Sequence, residues 1–182
     1  MIEFINEIQK GGNEMTVKTI ELEIECAKNI ENFNPCVDVD YDKIDALMDE
    51  SILLATNIKT KLDAFRKFSK NTAITKILEK NFMQYFNNFH TRINYYKTQL
   101  IYQATYRIIK YTKSNGESLS FFEGQDIAEQ IIENGSDDRL FIHDKYLLSQ
   151  LLDTRQIILR IDLNIKTMNR IIGDIQFFIA RH

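Results

Sequence analysis

The chain has 182 residues, 44% of them apolar and 27% charged, with one proline, six glycines, no tryptophan and a formal net charge of −3. An acidic balance argues against a nucleic-acid surface, which needs a basic face, and against a polybasic lipid-binding surface. Cys26 and Cys36 suggest neither a disulfide framework nor a zinc site, no apolar run is long enough to span a bilayer, and the opening Met1-Ile2-Glu3-Phe4 lacks the basic start of a signal peptide; the setting expected is therefore reducing and cytosolic, and the chain as given is expected to be soluble.

So few breakers leave room for few turns and hence for long helices. The spacing predicts a first helix over about 13–33, with Ile20, Ile24, Ala27 and Ile30 on one face. Gly11-Gly12 separates it from a short piece carrying Ile2, Ile5 and Ile8, and Asn34-Pro35 ends it, because the residue before proline is driven out of the helical region. A second helix is expected from about Tyr41 to Lys67, with Ile44, Leu47, Leu54, Ile58, Leu62 and Phe65 inward and Asp40 or Asp42 as its N-cap. The third and longest runs from about Thr72 to Tyr111, on a stripe of Ile74, Leu78, Phe82, Tyr85, Phe89, Ile93, Tyr96, Leu100 and Ala104.

Ser114-Asn115-Gly116 is a loop signal, followed by a short helix over about Gln125 to Glu133 that Asn134-Gly135 stops. Ser136-Asp137-Asp138 then offers a cap for a last helix over about 140–182. In that helix Leu147, Leu151, Thr154, Ile158, Ile161, Ile165, Met168, Ile172, Ile175 and Ile179 recur at alternating steps of four and three, and the next step lands on His182. A mean step of 3.5 keeps one seam facing a partner helix over many turns, as in a coiled coil. β-Branched isoleucines fill such a seam in few rotamers. No strand-like alternation competes anywhere.

Chemistry finds little footing. His90, His143 and His182 are far apart and form no i, i+4 ligand pair. Asp38, Asp40 and Asp42 imitate the opening of a calcium loop, but Lys43 stands where the loop needs glycine and Asp49 where it needs glutamate. Gly11-Gly12 is not a phosphate loop, because no Gly-Lys-Ser/Thr follows. The aromatics of the third helix, Tyr85, Phe86, Phe89, Tyr95, Tyr96, Tyr102, Tyr106 and Tyr111, lie near Lys97, Arg107, Lys110 and Lys113 as a stacking platform would. Tyr85, Phe89 and Tyr96 fall on the inward stripe, so core packing is the reading expected.

The order of elements resembles the syntaxins, the Qa class of SNARE proteins: three long helices, a linker with a short helix, then a coiled-coil helix. Local stretches are similar too. Ile2-Glu3-Phe4-Ile5 resembles the start of the family's first helix, and Lys61-Leu62 a pair near the end of its second. Ile131-Ile132-Glu133-Asn134-Gly135 resembles the end of its linker helix, and Thr154-Arg155 followed by Ile158-Leu159-Arg160-Ile161-Asp162 resembles the start of its SNARE motif.

The resemblance implies an all-α fold: an antiparallel three-helix bundle of the Habc type over 1–113, a linker over 114–139, and the N-terminal half of a SNARE helix over 140–182 packed on the bundle in a closed four-helix arrangement. Ile158, Ile161, Ile165, Met168, Ile172, Ile175 and Ile179 then become the hydrophobic layers that bind cognate SNARE helices, and His182 stands where the family carries its signature glutamine. Ala128, Glu129, Ile131 and Ile132 sit where the linker helix holds the closed state. No enzyme activity and no cofactor are implied. The partners implied are SNARE helices and a Sec1-family regulatory protein, without nucleic acid. The parent chain is expected to continue past His182 to a C-terminal anchor, on the cytosolic face of an internal or plasma membrane. The other reading of the same seam is a cytosolic helical-bundle adaptor that uses it as a fixed dimerisation face.

Overall fold

A computed structural model describes residues 39–68 and 72–181, together with Lys18. The helix expected over 13–33, Asp38 of the calcium-like run, both cysteines and His182 lie outside the described residues. Within them the protein is all-α. Helix α1 spans Tyr41–Phe68, α2 Thr72–Ser114, α3 Phe121–Asn134 and α4 Lys145–Ala180. An isolated antiparallel bridge between Asp137 and Leu140 is the one extended pairing among the described residues.

The chain forms two compact units, and α2 and α4 each contribute to both. One unit contains α1, the first part of α2 up to Ile93, and α4 from Ile161 onward. Its core holds Ile44, Leu47, Met48 and Ile58 from α1, Phe82, Phe89 and Ile93 from α2, and Met168, Ile175 and Phe178 from α4. Buried Ser51 turns its hydroxyl back to the Met48 carbonyl at 2.7 Å, which satisfies it without a tertiary partner. Half-buried Tyr85 has its phenol pKa pushed up, first by burial and then by the charge and hydrogen bond of Glu50.

The second unit contains α2 from Asn94, α3, and α4 up to Arg160. Tyr96, Leu100, Tyr102, Ala104 and Ile108 of α2 meet Ile127, Ala128, Ile131 and Ile132 of α3 and Leu147, Leu151 and Ile158 of α4 in its core. Polar side chains are buried here as well, among them Gln103, Thr105, Thr112 and Thr154. The threonines donate to carbonyls one turn back, at 2.9–3.0 Å, so burial leaves no hydroxyl unsatisfied. Of the eight aromatics of the platform-like pattern, Phe89, Tyr96 and Tyr102 are buried in the cores and the other five are half-buried.

Candidate functional site

Helix α3 is fixed at both ends by side-chain and backbone geometry. Ser120 is its N-cap: the hydroxyl accepts from the Glu123 N–H at 3.2 Å, and the Glu123 carboxylate accepts from the Ser120 N–H at 2.8 Å. This capping box starts the helix at Phe121, four residues before the start that periodicity predicts. The Ser120 N–H bond holds the Glu123 carboxyl below its ordinary pKa. At the other end Gly135 adopts φ 84° and donates its N–H to the Ile131 carbonyl at 2.8 Å, a left-handed termination that favours glycine.

The inner face of α3 carries the linker residues singled out in the sequence. Ala128, Ile131 and Ile132 are buried, whereas Glu129 is exposed and accepts from Gln125 at 3.0 Å. Two neighbours that the sequence reading omitted matter as much. Gly124 is buried where a Cβ would lie 2.6 Å from Ile109 Cγ1 and 2.9 Å from its Cδ1, so only glycine lets α3 approach α2 this closely. Phe121 meets Tyr102 edge-on with ring centroids 5.3 Å apart. The available signals were Ser120-Phe121-Phe122-Glu123 for the cap and a mid-helix glycine for the close approach.

The connector after α3 is folded by its own charges. Arg139 is paired with Asp126 at 2.6 Å and also with Asp137. The guanidinium of Arg139 holds the Asp137 carboxyl below its usual range, and Asp137 also accepts from the Arg139 N–H at 2.7 Å. Helix α4 therefore does not begin at about 140 as expected. Asp137 is occupied by Arg139, and the cap is Asp144, which accepts from the Tyr146 and Leu147 N–H groups at 2.9 and 3.2 Å. The His143 N–H donates to the Tyr111 hydroxyl at 3.1 Å, tying the connector to α2.

Along α4 the seam is real but it turns. Leu147, Thr154, Ile161, Met168 and Ile175, seven residues apart, are all buried. The second buried row changes. Early in the helix it consists of Leu151 and Ile158, four residues after the first row; later it includes Ile171 and Phe178, three residues after it. Ile172 remains buried, but Ile165 and Ile179 are only half-buried. Of the six layers from Ile158 to Ile175, Ile165 is the one that is not fully buried. At 3.6 residues per turn a heptad row slips back by about 20° per repeat, or about 60° over the twenty residues from Leu151 to Ile171. Exchanging an i+4 row for an i+3 row moves the centre of the stripe by about another 50° in the same sense. The buried stripe therefore winds around α4 faster than a heptad seam does.

Among the described residues no three metal-ligating side chains converge. His90 and His143 are exposed, next to Phe86 and Phe141 respectively. Compared with family models, curated proteins and solved structures, the chain matches none.

Proposed function

We propose that this chain is the cytosolic part of a syntaxin-like target-membrane SNARE in a closed state, acting in vesicle docking and membrane fusion. In this reading the helices over 1–113 form a Habc-type bundle that covers the SNARE helix. The observation that carries the reading is the burial of α4. Leu147, Leu151, Ile158, Ile161, Met168, Ile171, Ile172, Ile175 and Phe178 are all buried, on a helix whose sequence repeat is that of a coiled coil. Such burial is worth a gross gain on the order of 15–25 kcal/mol, an upper bound. Even about 4 kcal/mol of it leaves fewer than about one chain in a hundred open. A seam held this firmly needs an opener, and a Sec1-family protein that binds one conformation more tightly supplies the bias.

The partners in the open state are cognate SNARE helices, taken up along Ile158 to Ile179. The work of fusion also needs a bilayer anchor. Among the described residues no helix is long and apolar enough to cross a membrane, and the proposal assigns that anchor to a segment C-terminal to residue 182.

The test opens the closed state through α3. Ile131→Ala with Ile132→Ala removes two buried side chains, at about 2–5 kcal/mol each. We expect α4 to exchange its amide hydrogens faster while α1 stays protected, and the opened variant to capture SNARE helices from a panel more strongly than the wild type. Adding Ile165→Asp and Ile172→Asp should abolish that capture, because each puts an unpaired charge into a dry layer. An opened variant that captures no SNARE helix, yet dimerises through the seam, moves the adaptor reading ahead.

A further inference from the structure

The sequence holds two Asn-Gly pairs, Asn115-Gly116 and Asn134-Gly135, and the fold treats them differently. An asparagine followed by glycine is prone to cyclise, because no Cβ on the next residue keeps its backbone nitrogen away from the side-chain carbonyl carbon. The reaction cannot run in a closed helix end. The glycine N–H must first leave its carbonyl acceptor and the asparagine must rotate about its Cα–C bond, so the rate follows local opening. Both pairs end a helix with the glycine in the left-handed region, at φ 83° and 84°. What differs is the hold on each end.

At the end of α2 the Gly116 N–H donates to the Lys113 carbonyl at 3.2 Å and the Glu117 N–H to that of Thr112 at 2.9 Å. Beyond these two bonds little holds the turn. Residues 113–118 are all exposed, and among the described residues nothing lies within 4 Å of a Cβ built on Gly116. The Asn115 carboxamide makes no hydrogen bond among the described residues. The carboxamide of Asn134 is tied instead, with Nδ2 donating to Gln130 Oε1 at 3.0 Å. The Gly135 N–H has the shorter bond, 2.8 Å to the Ile131 carbonyl. Rotation at Asn134 would also swing the connector, which Arg139 pins back to Asp126, and would disturb Arg155 beside Gly135. Each tie is weak alone, but opening at Asn134 has to break them together.

We propose that Asn115 is a site of spontaneous covalent modification, from which the fold shields Asn134, and that its conversion unfastens the C-terminal turn of α2. The Gly116 N–H gives its proton to hydroxide, the nitrogen bonds to Asn115 Cγ, and the side-chain nitrogen leaves as ammonia. Water then opens the succinimide ring at either carbonyl and returns a proton to the Gly116 nitrogen. One opening gives aspartate; the other gives isoaspartate, whose main chain runs through Cγ and is longer by a methylene. That extra length breaks the register of the Gly116 and Glu117 bonds. Either product also sets a carboxylate at a helix C-terminus, the negative end of the dipole, where Lys113 offsets the charge but not the length. The same turn carries Tyr111, whose hydroxyl accepts the His143 N–H at 3.1 Å, so the connector's tie to α2 weakens with it. None of this depends on the SNARE reading.

The full chain is aged at mildly alkaline pH and mapped by mass spectrometry at intervals, beside a sample held in urea. In urea the two pairs should convert at similar rates, whereas in the folded chain Asn115 should convert about tenfold faster than Asn134. The rate at Asn115 should rise in proportion to hydroxide. The aged chain should take up labelled methyl from S-adenosylmethionine when an isoaspartyl methyltransferase is added. Its amide exchange should quicken over residues 111–118 and at His143, and stay unchanged in α1. Asn115→Gln, whose longer side chain closes a ring far more slowly, should remove most of the methyl uptake and all of the quickened exchange. The proposal is overturned if Asn115 stays intact in the folded chain, if Asn134 converts as fast as Asn115 there, or if conversion leaves exchange over 111–118 unchanged.

Discussion

The two compact units share α2 and α4 but are held by different means. The unit containing Asn94–Arg160 is fastened by local, directional devices: the Ser120–Glu123 capping box, the Gly124 approach to Ile109, the Arg139 clamp and the Asp144 cap. The unit containing α1 rests mainly on apolar burial, with Phe82, Phe89, Met168, Ile175 and Phe178 among its largest contributors. Directional devices specify where elements begin and how closely they approach. Apolar burial specifies only that a face is covered, and it tolerates the winding stripe of α4. The unit containing Asn94–Arg160 should therefore be sensitive to small chemical changes, and the unit containing α1 to lost volume.

That contrast can be broken most directly at the end of α4. Phe178→Ala should cost about 3–5 kcal/mol in urea unfolding, and Ile179→Ala less than half as much, because Phe178 is buried and Ile179 only half-buried. Equal losses would mean that the stripe does not turn. Next in size is Gly124→Ala, which forces a methyl against the Ile109 side chain and should destabilise by about 1–3 kcal/mol. Adding Ile109→Ala should recover much of that loss, and a failure to recover would show that the approach is not what glycine secures.

The smallest change is Ser120→Ala, about 1 kcal/mol through the lost cap, with faster exchange confined to α3. It also carries a pH signature. Glu123 and Asp137 both have depressed folded-state pKa values, so their contribution is fully present above the ordinary carboxylate range, around pH 4. It is lost as pH falls through the lower folded values. Glu123→Gln with Asp137→Asn should flatten the acid limb of the stability profile, and an unchanged limb would place the acid sensitivity elsewhere.

Much of the fold is legible as period and punctuation. The 3.6 spacing locates α1 and α2, and Asn134-Gly135 marks the end of α3, where the structure puts the left-handed glycine. The starts of helices are harder. Periodicity begins α3 at Gln125 because Phe121 and Phe122 are adjacent and define no face, while the capping box lies in residues that carry no period. Ser136, Asp137, Asp138 and Asp144 are all competent caps. Which one acts depends on Arg139, whose ion pair to Asp126 crosses thirteen positions and leaves no local trace. For the candidate site, the row from Leu147 to Ile175 can be read directly from the heptads. Whether Ile165 or Ile171 joins it is decided by the neighbouring surface, not by the helix's own sequence. The buried threonines of α2 were illegible for another reason: their hydroxyls return to their own helix, so a polar residue behaves there as an apolar one.

The row Leu147–Thr154–Ile161–Met168–Ile175 can act as an axle. It is buried whichever second row accompanies it, so the flanking rows can exchange without uncovering it. A roll of about 50° about that row would withdraw Ile171 and Phe178 and present Ile165 and Ile179. Only the flanking side chains would meet water during such a turn, and the row itself would stay dry throughout. A turn of this kind uncovers less apolar surface than detachment does, because the buried row is never exposed.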